Sequence, residues 1–171
     1  MNMSFEIATP QDVSALSHFV NQAYRGDSAR QGWTHEADLL DGTRVTEDLL
    51  NDELNRGVIL VKAIQDQQLV GCYHFEFKDP TTAYVGMITV DPTLQARGIG
   101  KLILEDAIER ARRGQAAHLQ LTVMSEREEL IAYYERRGFR LTGKSIAFEG
   151  DDKRYGLPRH SLTLLEMERV L

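Results

Sequence analysis

Cysteine is almost absent. Cys72 is the single one in 171 residues, so no intramolecular disulfide can form. No apolar run approaches the roughly 20 residues that span a bilayer, and no basic-then-apolar leader opens the chain. A cytoplasmic protein with no membrane partner is the expectation. An excess of positive charge is missing too. The formal net charge of −6 leaves nonspecific nucleic-acid binding without the basic surface that displaces counterions. The basic runs Arg110, Arg112, Arg113 and Arg136, Arg137, Arg140 fall largely at helix ends, where positive charge offsets the helix dipole. His35 and His160 have no second ligand at a recognisable spacing, so no metal is expected. An acidic chain can still hold an anion through backbone amides, and a phosphate-bearing ligand stays compatible with this composition.

What is present is ordinary for a soluble globular chain: 42% hydrophobic and 27% charged residues. The length predicts a single domain over 1–171. Phe5 to Ala8 is a short apolar stretch, and Thr9-Pro10 then reads as a helix start. Val13, Leu16, Phe19, Val20 and Ala23 recur at helical spacing. Arg25 to Gly42 loses this period and reads as a loop. A second helix, starting at Thr43 or Thr46, carries Leu49, Leu50 and Leu54 to Asn55 and stops at Gly57. The period then changes. Val58 to Ile64, Leu69 to Lys78 and Ala83 to Val90 read as three strands joined by short turns, which predicts an antiparallel meander.

Asp91-Pro92 ends the third of these strands, and a helix follows from about Gly98 to Arg113. His118 to Val123 reads as a strand. Ser125-Glu126-Arg127-Glu128 has the form of a capping box for a helix ending near Gly138. Phe139 to Phe148 and Ser161 to Val170 read as the last strands. The fold class expected is α/β (α+β), with a mixed, mostly antiparallel sheet of about seven strands flanked by about four helices.

The most informative segment is Val90-Asp91-Pro92-Thr93-Leu94-Gln95-Ala96-Arg97-Gly98-Ile99-Gly100-Lys101. It is a strand, a turn and a helix N-terminus with almost no side-chain bulk. Gly98 and Gly100 let a ligand approach the backbone, and first-turn amides have no intrahelical acceptor. With the positive end of the helix this makes an anion site suited to phosphate, to which Arg97 and Lys101 add charge. A dinucleotide fingerprint needs glycine where Ile103 stands. A P-loop needs glycine at Gln95 and a hydroxyl residue at Leu102.

The segment resembles instead the pyrophosphate loop of the GNAT acetyltransferase superfamily, Gln/Arg-x-x-Gly-x-Gly/Ala, which Gln95, Gly98 and Gly100 match. Tyr134-Glu135-Arg136-Arg137-Gly138-Phe139 matches a second family motif, a tyrosine followed four residues later by Gly-Phe. The order of helices and strands agrees with that family over essentially the whole chain. The resemblance implies the GNAT fold and transfer of the acetyl group of acetyl-CoA, a cosubstrate, to a primary amine of a small molecule, protein or peptide. Attack is then direct, in a ternary complex. A catalytically inactive acetyl-CoA-binding sensor or interaction module is the rival from another class.

By position, the resemblance assigns the pantetheine arm to Ile88, Thr89 and Val90. Pyrophosphate goes to the stretch from Gln95 through Ala96, Arg97, Gly98, Ile99, Gly100 and Lys101 to Leu102. Tyr134 becomes the acid that protonates the leaving thiolate, although its spacing from Leu130 also fits a core contact. A Lys-like ammonium, with a pKa of about 10.4, must lose a proton before attack. Glu76, beside His74 on the less apolar face of its strand, is the candidate base, against a solvent-facing strand edge and a water chain. Arg127 stands where the family often has an asparagine, and reads either as a cofactor contact or as solvated helix-start charge. Trp33, Glu36 and Asp38 suit recognition of a cationic amine by cation–π contact and charge, and equally suit a loop pinned by one tryptophan. Homodimers are common in the family, so a homodimer is a possible assembly.

Overall fold

The computed structural model describes residues 3–25, 40–41, 45–94, 97–148, 157–158 and 162–171. The expected Trp33, Glu36, Asp38, Gln95 and Ala96 lie outside them.

Strand β1 (Met3–Ile7) leads through Thr9 into helix α1 (Val13–Arg25). The Asp12 carboxylate accepts the Thr9 amide at 2.8 Å, which fixes the start of the helical path. Val13, Leu16, Val20 and Ala23 are buried along one stripe, as their spacing predicts. β2 (Leu40–Asp41) precedes helix α2 (Glu47–Asn55), whose N-cap Thr46 accepts the Leu49 amide through its hydroxyl at 3.1 Å. β3 (Ile59–Gln65) and β4 (Gln68–Asp79) form a hairpin whose turn residues Asp66 and Gln67 both have positive φ (52° and 65°). That is the twist a two-residue hairpin needs, met here without glycine. β5 (Thr82–Val90) completes the meander.

Helix α3 (Ile99–Arg113), strand β6 (His118–Met124), helix α4 (Glu128–Arg136) and strands β7 (Arg140–Phe148), β8 (Leu157–Pro158) and β9 (Leu162–Val170) follow. The main sheet has seven strands in the order β1-β3-β4-β5-β6-β9-β7, antiparallel except at β5–β6. This agrees with the expected sheet and four helices. A two-stranded ladder, Leu40 with Pro158 and Asp41 with Leu157, was not legible, because both strands lie in segments that read as loops.

The sheet separates two apolar layers. On one face α1 and α2 bury Leu16, Val20, Leu49 and Leu50 against Leu60, Cys72 and Met87. On the other, Ile103, Ala107 and Ala111 of α3 and Tyr134 of α4 pack on Val61, Tyr73, Phe75, Ala83, Val85 and Met167. Strand alternation assigns these faces, and β5 breaks it. Ala83 and Val85 face α3, yet Met87 joins the α1–α2 layer and Ile88 and Val90 return to the α3 side. The cause is a bulge: pairing runs Cys72 with Thr89 and then His74 with Gly86, and Met87 has φ 51°. One extra residue re-phases the strand end.

The expected capping box at Ser125 does not form. The Ser125 amide donates to Thr163 at 2.8 Å, and the N-cap of α4 is Arg127, with no side-chain cap bond. Pairing with β9 carries the chain past the position where the box would close.

Candidate active site

β5 and β6 run side by side through only three pairs, Thr82–His118, Ala83–Leu119 and Tyr84–Gln120. Beyond them β6 pairs solely with β9, and β5 continues to Val90 paired with β4 on its other side. The sheet is therefore forked, with its closed end at Tyr84 and Gln120. Tyr84 crosses that end, its hydroxyl 3.2 Å from Thr122 Oγ1. Its ring lies over Gly86, where a Cβ would come within 2.8 Å of Cε1.

The open edge of β5 has specific backbone groups to offer. The Asp91 amide donates to Val70 of β4 at 3.0 Å. Alternation therefore turns Thr89 to β4 as well, and directs the N–H and C=O of Val90 into the fork. The Ile88 carbonyl accepts the Tyr24 hydroxyl of α1. Of the three residues expected to pair with a pantetheine arm, Val90 has its polar backbone on the open side, Ile88 shares its carbonyl with Tyr24, and Thr89 is buried facing β4.

At the mouth of the fork stands the start of α3. Gly98 is its N-cap with φ 81°, a left-handed conformation that glycine adopts without strain, and among the described residues beyond its chain neighbours no atom lies within 4 Å of where its Cβ would be. The amides of Ile99, Gly100 and Lys101 belong to the first turn, which has no intrahelical acceptors. The Leu102 amide, expected to share in this cradle, already donates to Gly98 at 3.1 Å. Arg97 is exposed beside the cradle, whereas the Ile99 side chain is buried in the core. A position for a Cβ on Gly100 is 3.8 Å from both Val90 Cγ2 and the Tyr133 hydroxyl, so the cradle, the strand end and α4 converge there. An open backbone cradle at a helix N-terminus fits a pyrophosphate. A groove of about 930 Å³ continues from Lys101 along α3, past Glu105, Arg136, Arg137, Arg140 and Arg169.

Tyr134 lies below this junction, 8% exposed, edge-on to Tyr133 and Phe139 at 5.5 and 5.9 Å between centroids. Burial pushes its phenol well above the usual 10, Tyr24, Tyr133 and Tyr84 nearby push the same way, and the Arg127 charge opposes them. A phenol so placed stays protonated and can act only as a proton donor at neutral pH. Arg127 is not the solvated charge that a helix start suggests. It is 5% exposed, with Nε donating to Glu129 Oε1 at 2.7 Å. Tyr133 carries the Arg137 guanidinium 5.0 Å from its ring centroid.

Glu76 faces Tyr84 across β4–β5, with its side chain 28% exposed. The expected solvent-facing edge is not what surrounds it, because β4 is an interior strand. His74 is buried under α2, its Nδ1 3.1 Å from Glu53 Oε2 and its Nε2 3.5 Å from Glu76 Oε2. Sequence reading missed Glu53, Tyr24 and Tyr84. Glu53 had a signal, since it stands four residues after Leu49 and three after Leu50, on the apolar stripe of α2. Tyr24 and Tyr84 had none, because their partners lie 64 and 38 residues away.

Residues 17–139 match the acetyltransferase (GNAT) family. The chain is 25% identical over 155 residues to the peptidyl-lysine N-acetyltransferase YjaB of Salmonella typhimurium, covering 91% of this chain and 84% of that one. It is 29% identical over 142 residues to mycothiol acetyltransferase of Mycobacteroides abscessus, where the match takes in 81% of this chain but 46% of the relative. Among solved structures, the ribosomal-protein-alanine N-acetyltransferase of Brucella melitensis superimposes with a TM-score of 0.66 at 22% identity, over 98% of this chain and 99% of that one. YncA of Salmonella typhimurium, a putative acetyltransferase solved with acetyl-CoA, gives 0.66 at 20% identity over 100% and 95%. The chain belongs to the GNAT family of acetyltransferases. It is an acyltransferase. No helix among the described residues is long and apolar enough to cross a membrane.

Proposed function

We propose that the protein transfers the acetyl group of acetyl-CoA to a primary amine by direct attack within a ternary complex. The observation that carries this reading is the convergence of Val90, Gly100 and Tyr133 at the mouth of the fork, with Tyr134 buried beside them. The open backbone of Val90 suits an extended amide-bearing arm, and the first-turn amides from Ile99 to Lys101 suit pyrophosphate. The groove bordered by Lys101, Arg137 and Arg140 suits the remaining phosphate of the donor. YncA, solved with this donor, has the same fold.

Tyr134 donates a proton to the departing sulfur, and burial keeps that proton in place until the C–S bond breaks. Glu76 stands on the α1–α2 side of the fork as the group that meets the incoming ammonium. The acceptor reaches it between residues 26–41 and 149–160, which include Trp33, Glu36 and Asp38. The ladder between Leu40–Asp41 and Leu157–Pro158 ties these two segments together and supports this route. A cationic amine of a small molecule or a peptide is the acceptor, and the names of the relatives, one a peptidyl-lysine acetyltransferase, are in keeping with that class.

Thiol release is measured from acetyl-CoA with a single-lysine peptide, an N-terminal-alanine peptide, spermidine and an aminoglycoside, using wild type and Tyr134→Phe. Turnover with one amine class, lowered about 10²-fold or more in Tyr134→Phe with unchanged acetyl-CoA affinity, is expected. Tight acetyl-CoA binding without turnover on the panel would point to the sensor role instead.

A further inference from the structure

On the α1–α2 face, beside the closed end of the fork, one imidazole sits between two carboxylates. Glu53 is itself buried, 6% exposed, although it belongs to a surface helix. With Glu53 as a carboxylate, which only accepts, the 3.1 Å contact to His74 Nδ1 takes its hydrogen from that nitrogen. In a neutral ring Nε2 is then the atom with the lone pair. That nitrogen is buried and has no hydrogen-bond partner among the described residues. It points towards Glu76 Oε2 at 3.5 Å, the outermost and most exposed member of the row. Glu53 and Glu76 meet opposite edges of the ring rather than a common point, as a proton path requires and a metal site does not. Among the described residues no three such side chains converge as metal ligands do.

The row lies within reach of the chemistry. The His74 ring meets Tyr84 edge-on at 5.7 Å between centroids, and His74 pairs with Gly86, one step inside the fork. Tyr84 spans the fork to Thr122 and is close enough to Tyr134 to influence its phenol. The imidazole and Tyr134 therefore stand on opposite faces of the sheet along the same opening. Among the described residues, the charged and titratable groups in contact with His74 are Glu53 from α2, Glu76 from β4 and Tyr84 from β5. Lys78 lies beyond Tyr84, 4.8 Å from its ring centroid. From β3 the neighbour is Leu60, and from β6 it is Thr122 through Tyr84.

We propose that Glu76, His74 and Glu53 form a proton relay that deprotonates the acceptor amine, with His74 Nε2 as the proton store and Glu53 as its positioning residue. This rests on the acetyltransferase reading above and names the base that reading requires. An N–H proton of the ammonium passes to Glu76 and on to His74 Nε2, leaving a lone pair on nitrogen and an imidazolium held between two carboxylates. The lone pair forms the C–N bond at the thioester carbon. The C–S bond breaks, the sulfur takes the Tyr134 proton, and the second N–H proton of the nitrogen replaces it. His74 returns its proton to solvent through Glu76, so charge and protons balance over the cycle.

The test is the pH dependence of kcat/KM from pH 6.5 to 9.5, with a single-lysine peptide as acceptor, or spermidine if that is the better substrate. Wild type, His74→Gln, Glu76→Gln and Glu53→Gln are compared, with acetyl-CoA affinity and Tm measured for each. His74→Gln is expected to lose about 10²–10³-fold at pH 7. It should then regain about tenfold per pH unit as solvent deprotonates an amine of pKa about 10, while wild type changes far less. Glu53→Gln should lose less and recover in the same direction. A wild-type pH profile in His74→Gln overturns the relay, and so does an equal loss at every pH, which marks a structural role. If His74→Gln does not fold, Glu76→Gln decides, since its residue is partly exposed, and an unrescued loss there overturns the relay. Wild-type turnover with an unaltered variant profile sinks the relay alone. Absence of wild-type turnover on every amine sinks the acetyltransferase reading together with it.

Discussion

Replacing Gly100 step by step probes the junction between cradle, strand and helix. A Cβ at this position meets Val90 Cγ2 and the Tyr133 hydroxyl at 3.8 Å each, which is ordinary contact, and nothing closer among the described residues. Gly100→Ala therefore fits the folded chain, and a helix position gains about 0.8–1 kcal/mol when alanine replaces glycine. Valine adds two methyl groups about 1.5 Å further out, which must crowd Val90, Tyr133 or the space between them. That space is the way into the fork. If the first-turn amides bind pyrophosphate, each hydrogen bond to the charged group is worth about 1.5–3 kcal/mol. Loss of two of them weakens acetyl-CoA by about 10²–10⁴-fold, since 1.4 kcal/mol is tenfold. Lys101→Ala removes an exposed charge worth about 0–1 kcal/mol, at most a few-fold in Kd and less at higher salt. Isothermal titration of acetyl-CoA at 0.15 M salt, with Tm recorded in parallel, separates these effects. The expected order is Gly100→Val far weaker than Gly100→Ala, and Lys101→Ala close to wild type, with Tm raised by about 2–4 °C in Gly100→Ala and no collapse in the others. Equal affinities for Gly100→Val and Lys101→Ala would refute main-chain recognition, and so would a Gly100→Val defect that tracks a collapse in Tm.

Two further outcomes concern stability. A Cβ on Gly71 would lie 2.8 Å from the Thr89 carbonyl and 2.5 Å from Ile103 Cδ1. Gly71→Ala should therefore cost about 1–3 kcal/mol by overpacking and lower Tm by about 2–12 °C, whereas an unchanged Tm would mean the β4–β5 ladder yields freely. The Tyr73 phenol is held well above 10, first by burial and then by its bond to Asp106, with Arg110 opposing. A group raised in the folded state contributes stability below its unfolded pKa of about 10 and loses it as pH rises further. Urea midpoints at pH 8 and pH 11 should thus fall less in Tyr73→Phe than in wild type, and equal falls would contradict the argument.

Much of this molecule was legible locally. Thr46 capping α2, the apolar stripe of α1, the glycine at the start of α3 and the three-strand meander all express contacts within a few residues, where spacing and propensity decide. The same locality explains the misses. Ser125 offered a good capping box, but its amide was claimed by Thr163, which is 38 residues away in sequence. His74 and Glu76 looked like an exposed strand edge because nothing in their own neighbourhood announces that β3, β5 and α2 surround them.

By itself the sequence determined the succession of helices and strands, the glycine-marked start of α3 at Gly98 and Gly100, and the kinship with acetyltransferases. These follow from backbone freedom at glycine, from amides without acceptors at a helix start, and from apolar periodicity. Only the tertiary structure decided the faces of β5 and the company of its side chains. The bulge at Met87 moves Ile88 and Val90 to the opposite face from the one that strict alternation assigns. Glu53 meets His74 because α2 is laid across β4, and Tyr24 reaches Ile88 because α1 is laid across β5. Such pairings depend on how whole elements pack, and packing is a property of all the buried surfaces at once rather than of any one segment.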